Sequence, residues 1–152
     1  MYIFSYGDKY SGSWDKNMKN GRGKLEYASG AVFEGEFRND KVTGKGVIQY
    51  PNKDRYEGDF VDGVLSGVGL YVHSDGSRYE GDWRNNEKNG AGIMKFSNGD
   101  IFKGSFVNGE RSGRGVYEYA NGDKYDGQWK GDKKEGQGVL EMSTGDKYTG
   151  EW

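Results

Sequence analysis

One period governs this chain: every 23 residues the same order of rings and glycines returns, with no insertion or deletion. An aromatic residue recurs at Tyr10, Phe33, Tyr56, Tyr79, Phe102, Tyr125 and Tyr148. Two residues on stand Gly12, Gly35, Gly58, Gly81, Gly104, Gly127 and Gly150, and two further on a second ring, Trp14, Phe37, Phe60, Trp83, Phe106, Trp129 and Trp152. A Gly-x-Gly string then closes each unit, from Gly21 and Gly23 to Gly136 and Gly138. A fixed period of this length is the signature of a repeat array, in which each unit is one supersecondary element stacked on its neighbours. Such an array offers a surface and not a unique active site.

Composition fits this reading. Leu, Ile, Val and Phe make up only about one residue in six, a level at which disorder becomes a concern. Disorder also requires high net charge and few rings, whereas this chain carries a net charge of −2 and is 15% aromatic. Most of its rings occupy the two periodic positions, so order comes from aromatics and glycine. With no cysteine there is no disulfide framework and no thiolate metal site. No apolar run approaches the roughly 18 residues that cross a bilayer as a helix, and a cytoplasmic setting is expected. A pI near 5.5 argues against nucleic acid, which calls for a basic stripe.

The string Tyr10-Ser11-Gly12-Ser13-Trp14 alternates with period two, as do its sisters, so each reads as a strand with one ring-bearing and one polar face. Lys16-Asn17, Asn39-Asp40, Asp62-Gly63, Asn85-Asn86, Asn108-Gly109 and Gly131-Asp132 follow; these are two-residue type I′ hairpin signals. Closing the chain there sets Trp14 opposite Lys19, Gly12 opposite Gly21 and Tyr10 opposite Gly23, so that rings lie beside glycines. Parity decides the second turn. A three-residue loop at Ala28-Ser29-Gly30 pairs Leu25 with Phe33 and Gly23 with Gly35, and keeps every ring on one face. Such loops end in a left-handed residue, and glycine stands there at Gly7, Gly30, Gly76, Gly99, Gly122 and Gly145, with Lys53 the exception. The sequence thus predicts an all-β fold: an elongated, single-layer antiparallel meander of about 14 strands, strongly twisted and without helix. As one array, 1–152 divides into a half-repeat 1–7, six repeats over 8–145 and a half-repeat 146–152. The half-repeats read either as cut edges of a longer array or as self-complementary ends.

The strings YSGSW, FEGEF, YEGDF, YEGDW, FKGSF, YDGQW and YTGEW, the first six followed by Gly-x-Gly, resemble the membrane occupation and recognition nexus (MORN) repeat over the whole chain. The resemblance implies a hairpin array serving as a scaffold in cytoskeletal, ciliary or membrane-proximal assemblies. It also implies a ring-lined groove that takes a helical or extended peptide or supports self-association. Two alternatives accompany it: a module for phosphoinositides or anionic membrane, and a regulatory array of a longer enzyme.

A non-catalytic scaffold is the leading expectation, with no catalytic residue, metal ligand set or cofactor assigned. His73, the sole histidine, stands where sister units carry Tyr27, Tyr50, Phe96 and Tyr119, and reads as a substitute planar ring. The row Asp54, Asp100, Asp123 and Asp146 follows the turns and reads as turn chemistry rather than calcium binding. A single-layer sheet leaves its ring face uncovered, so the groove is assigned to Tyr56, Phe60, Tyr79, Trp83, Phe102 and Phe106, the last four partly exposed. Val42, Val64 and Leu65 interrupt the charged pattern of the hairpins and are a candidate hot spot. Lys130, Lys133 and Lys134 are the best candidate lipid contact, but Asp132 and Glu135 interrupt them. Glu34, Glu36, Glu57, Asp59, Glu80 and Asp82 line the other face, so membrane contact is expected to be weak or absent.

Overall fold

The computed structural model describes Met1–Trp152. Seven strands, β1 (Tyr2–Ile3), β2 (Lys9–Asp15), β3 (Met18–Glu26), β4 (Val32–Arg38), β5 (Lys41–Gln49), β6 (Arg55–Val61) and β7 (Val64–Val72), lead the chain. Seven more follow: β8 (Arg78–Arg84), β9 (Glu87–Lys95), β10 (Ile101–Val107), β11 (Glu110–Glu118), β12 (Lys124–Lys130), β13 (Lys133–Glu141) and β14 (Lys147–Glu151). There is no helix, and strand order in the open antiparallel sheet is chain order. The chain forms two compact units, Met1–Ser74 with Arg84–Asn86, and Asp75–Trp83 with Glu87–Trp152.

Both turn types form as the spacing predicts. Lys16 and Asn17 have φ of 51° and 63°, and the five sister tips are likewise positive at both positions, as a type I′ turn requires. In the other loop Tyr27 N–H donates to Ala31 O (2.9 Å) and Gly30 N–H to Tyr27 O (2.9 Å), closing three residues. Leu25 pairs with Phe33 and Gly23 with Gly35.

The register within each hairpin differs from the sequence expectation. Trp14 does lie opposite Lys19, but Gly12 faces Gly23 and Tyr10 faces Leu25. Ser13 alone therefore spans Asn20, Gly21 and Arg22, a bulge that adds two residues to the second strand. The two glycines of Gly-x-Gly thus serve different ends. Gly21 (φ +80°) and its sisters Gly44, Gly67, Gly90, Gly113 and Gly136 turn the bulge in the left-handed region. Gly23 makes room, since a Cβ there would stand 2.6 Å from Tyr10 Cε2. Side chains at the Ser13 position also hold the bulge where they are long enough: Val68 N–H donates to Asp59 Oδ2 (2.9 Å) and Gln137 N–H to Gln128 Oε1 (3.2 Å).

Neighbouring hairpins are stapled at both ends. At the loop end an aspartate accepts from a backbone N–H 20 residues on: Ala28 to Asp8, Ser74 to Asp54, Ala120 to Asp100 and Ser143 to Asp123. At the hairpin tip Lys19 N–H donates to Asp40 Oδ1 (2.7 Å), while Asp40 N–H returns a bond to Lys19 O (3.0 Å). Asn86 and Asp132 repeat this with Leu65 and Arg111. Gly63 and Gly109 make only the backbone bond, to Val42 O and Lys88 O. No buried side-chain nitrogen or oxygen lacks a partner.

Two changes should stabilise the array, read as urea midpoints. Gly63→Asn supplies the missing staple to Val42 N–H; its Cβ meets nothing within 4 Å and asparagine tolerates positive φ, so a gain of about 1 kcal/mol is expected. Lys53 has φ of 73° and donates to Tyr50 O at 2.9 Å as its glycine sisters do. Lys53→Gly removes about 1–2 kcal/mol of left-handed strain, partly offset by the freedom glycine gains in the unfolded chain, for a net gain of roughly 0.5–1 kcal/mol. A loss in either variant would show that these turns are held by something other than their φ and their staple.

Candidate functional site

The ring-bearing face is built from five recurring positions. The first ring of each hairpin lies on its own main chain. Tyr10, Tyr56 and Tyr79 donate their hydroxyls to the carbonyl three residues on, each at 2.8 Å. The second ring stands edge-on to the first: Tyr56 to Phe60 at 5.2 Å and 88°, Tyr79 to Trp83 at 5.2 Å and 88°, Phe102 to Phe106 at 5.3 Å and 88°. Each such edge-to-face contact is worth about 0.5–1.5 kcal/mol beyond the area it buries.

This packing corrects the assigned groove. Tyr79, Trp83, Phe102 and Phe106 are 0%, 7%, 0% and 3% exposed, and Tyr56 and Phe60 are 0% and 4% exposed. They are core and do not line an open groove. The lid over them is the second residue beyond each hairpin tip. Lys19 Nζ stands 4.8 Å from the Phe4 ring and Lys88 Nζ 5.5 Å from Tyr79. The Arg111 guanidinium lies 4.8 Å from Trp129, fixed by Asp132 at 3.0 Å. Cations over ring faces are favourable, and their methylene stems cover apolar surface. Burial lowers the pKa of Lys88.

The candidate hot spot is corrected on the same ground. Val42 and Leu65 occupy this lid position, so they are buried core residues and not an exposed tip. Val64 is half-buried on the opposite face, paired with exposed Val61. The three lysines do not converge either. Lys130 and Lys133 are exposed cross-strand partners, whereas Lys134 projects to the ring face, its amine 5.0 Å from Tyr119 and 5.2 Å from Tyr125.

What the ring face leaves open is a different set. In the first unit Tyr27, Ile48, Tyr50, Tyr71 and His73 are half-buried; in the second Phe96, Tyr117, Tyr119 and Leu140 are. Beneath them lie two buried carboxylates. Asp54 accepts from the Tyr71 hydroxyl (2.7 Å) and from Ser74 N–H (2.8 Å), and Asp100 from the Tyr117 hydroxyl (2.6 Å) and Ala120 N–H (2.8 Å). The tyrosine hydrogen bond is the largest cause holding each carboxyl below the usual range. Burial, then the same bond, raises the pKa of both tyrosines. The His73 ring lies tilted 4.6 Å from Tyr71 with Nδ1 3.6 Å from Asp54 Oδ2, the place that Tyr119 takes beside Tyr117. The sequence showed the ring substitution at His73, but Tyr71 and Tyr117 escaped notice because sister units carry Leu25, Ile48, Met94 and Leu140 there.

A pH dependence follows. Asp54 and Asp100 protonate at lower pH folded than unfolded, so below about pH 5 the unfolded chain binds more protons and stability falls with pH. Asp54→Asn with Asp100→Asn should flatten the loss of urea midpoint between about pH 6 and pH 3. An unchanged slope would place the acid sensitivity elsewhere, for instance at Asp59, held low by Lys45 and Val68 N–H.

The pattern of the MORN repeat family matches residues 10–32, 33–55, 56–78, 79–101, 102–124 and 125–147. No curated protein matches the chain. Among solved structures, the TCP domain of Drosophila melanogaster SAS-4 (dCPAP), in complex with a proline rich motif of Ana2 (dSTIL), is similar in fold. Its TM-score is 0.60 at 15% identity, over 99% of this chain and 82% of that one. The TCP10 domain of Danio rerio CPAP, in complex with a STIL peptide, aligns over 97% of this chain and 85% of that one, at 16% identity and a TM-score of only 0.33.

Proposed function

As the chain belongs to the MORN repeat family, we propose that it is a non-catalytic interaction scaffold whose ring-bearing face receives a protein partner in extended form. The observation that carries this is the half-buried rings, Tyr50 and Tyr71 in the first unit and Phe96 and Tyr117 in the second, each pair set above a core of its own kind. Tyr56, Phe60, Tyr79, Trp83, Phe102 and Phe106 form the floor beneath that surface and set its shape. Family and fold fit a non-enzymatic role, and the similarly folded SAS-4 domain holds a peptide. A helix or a second copy of the chain are the competing occupants. A cytoplasmic, cytoskeleton- or cilium-associated setting belongs to the same proposal. The separation of Lys134 from Lys130 and Lys133 breaks up the candidate lipid contact, since anionic membranes are held by clusters of about 4–8 basic residues.

The test compares the two faces. Ile48→Glu with Leu140→Glu places charge among the half-buried ring-face residues, and Val68→Glu with Val107→Glu charges the opposite face, where both valines are exposed. Partner capture from extract, read by mass spectrometry, should lose its specific protein with the first pair and keep it with the second. Vesicles carrying phosphoinositide should not co-sediment the chain at physiological salt. Loss of partner with the outer-face pair alone, or vesicle binding abolished by Lys130→Glu and Lys133→Glu, would overturn the proposal.

A further inference from the structure

Two three-ring clefts of almost the same geometry lie two repeats apart, one in each unit. In the first, Tyr50 and Tyr71 stand 6.0 Å apart at 31°, and Tyr71 and His73 4.6 Å apart at 50°. In the second, Phe96 and Tyr117 stand 5.7 Å apart at 32°, and Tyr117 and Tyr119 4.6 Å apart at 48°. The middle ring of each is clamped through its hydroxyl to a buried carboxylate, Asp54 or Asp100. The other repeats carry Leu25, Ile48, Met94 or Leu140 at that position. All six rings are half-buried, whereas the first-position rings below them are fully buried.

The polar groups left over decide what fits. Asp54 and Asp100 are buried, with both oxygens already accepting from a tyrosine hydroxyl and a main-chain N–H, so they are not presented to a ligand. The hydroxyls of Tyr50 and Tyr119 bond to nothing in the chain and can donate. Burial, with Asp54 as a lesser cause, raises the pKa of Tyr50 and keeps it a donor. Each cleft therefore presents flat apolar faces and donors. An α-helix has its interior carbonyls already bonded and meets those donors only through side chains or its last turn. An added strand would join a sheet edge and not a sheet face. A polyproline II segment has solvated carbonyls, few N–H groups and flat pyrrolidine faces, and costs little entropy to fix.

We propose that each cleft is a docking site for a proline-rich segment in polyproline II form. The three rings take the pyrrolidines, and Tyr50 or Tyr119 donates to a peptide carbonyl. This rests on the reading of the ring face as a peptide-binding surface and names its ligand. Arg111 adds selectivity. Its guanidinium is 5.8 Å from Phe96 and 5.5 Å from Tyr117, where the first unit has Leu65, so the second cleft disfavours a basic residue in the peptide.

Titration of the full chain with a fluorescent oligoproline peptide, followed by amide chemical shifts, tests the proposal. Two equivalent sites are expected, one remaining in Tyr50→Ala and none in Tyr50→Ala with Phe96→Ala. Tyr50→Leu and Phe96→Leu keep apolar volume without the ring and should weaken each site about tenfold at an unchanged thermal midpoint. A glycine–serine peptide of the same length should not bind. Equal binding of that peptide, or binding indifferent to the double variants, overturns the proposal. If oligoproline fails while a helical peptide or a captured protein binds in a manner lost with Ile48→Glu and Leu140→Glu, the ligand is wrong and the scaffold reading stands. If no polypeptide binds this face, both fail.

Discussion

The contact between a ring and glycine main chain is the constraint on which the rest of this fold depends. A sheet ordinarily buries a face against a second layer, and this sheet has none. Instead the first ring of each hairpin lies on its own backbone, at a distance open only to residues without a Cβ: a methyl on Gly12 would stand 2.5 Å from Gly23 Cα and 2.6 Å from the Tyr10 hydroxyl oxygen. The main chain becomes the second wall of the core. That explains how a chain so poor in Leu, Ile and Val can leave Tyr10, Phe33, Tyr56, Tyr79, Phe102 and Tyr125 with no exposed surface. It also explains the lid. A ring flat on the sheet still shows one face to water, and a long cation or an aliphatic side chain from beyond the hairpin tip covers it.

Cohesion between repeats uses short polar side chains. The loop-end aspartates reach forward and the tip residues Asp40, Asn86 and Asp132 reach back, so each internal hairpin is held by its neighbours and stability is set pair by pair. The tip residue meets two demands at once. It must accept positive φ, and it must offer an acceptor to the preceding hairpin. Asparagine and aspartate satisfy both, whereas Gly63 and Gly109 satisfy only the first. The type I′ preference for Asn, Asp and Gly is therefore too coarse to show which tips are well stapled.

Much of the fold was legible because period-two parity and turn chemistry are local. The six I′ tips, the three-residue loops and the placement of every ring on one face follow from spacing, and even Lys53 keeps the geometry of its glycine sisters. The hairpin register was not legible, for a definite reason. The bulge opposite Ser13 adds two residues, and an insertion of two restores the same face, so parity cannot detect it. Only the positive φ of Gly21 betrays it. Ring exposure was misjudged for a related reason. Alternation assigns Tyr79 and Phe102 to a face but is silent on whether Lys88 or Arg111 folds back over them. The hot spot at Val42 and Leu65 failed likewise, because a break in a charged pattern at a lid position is a core substitution.

Recognition in such an array comes from departures from the repeat, since whatever every unit shares is already used to fold it. The rings at the Tyr10 and Trp14 positions recur in every unit and, among the internal hairpins, are spent on the core. Tyr71 and Tyr117 occur in only two of the six units, together with buried Asp54 and Asp100, and these rings stay half open. Folding alone does not call for a tyrosine there, since Leu25 and Leu140 fill the same position although Asp8 and Asp123 make the same main-chain staple, and Ile48 and Met94 fill it with Ala31 and Ser77 in the carboxylate's place. Burying a carboxylate to orient one half-exposed ring is a costly arrangement for a lone hairpin. It becomes intelligible when the oriented ring is the surface that a partner meets, because a ring fixed in advance loses no rotamer freedom on binding.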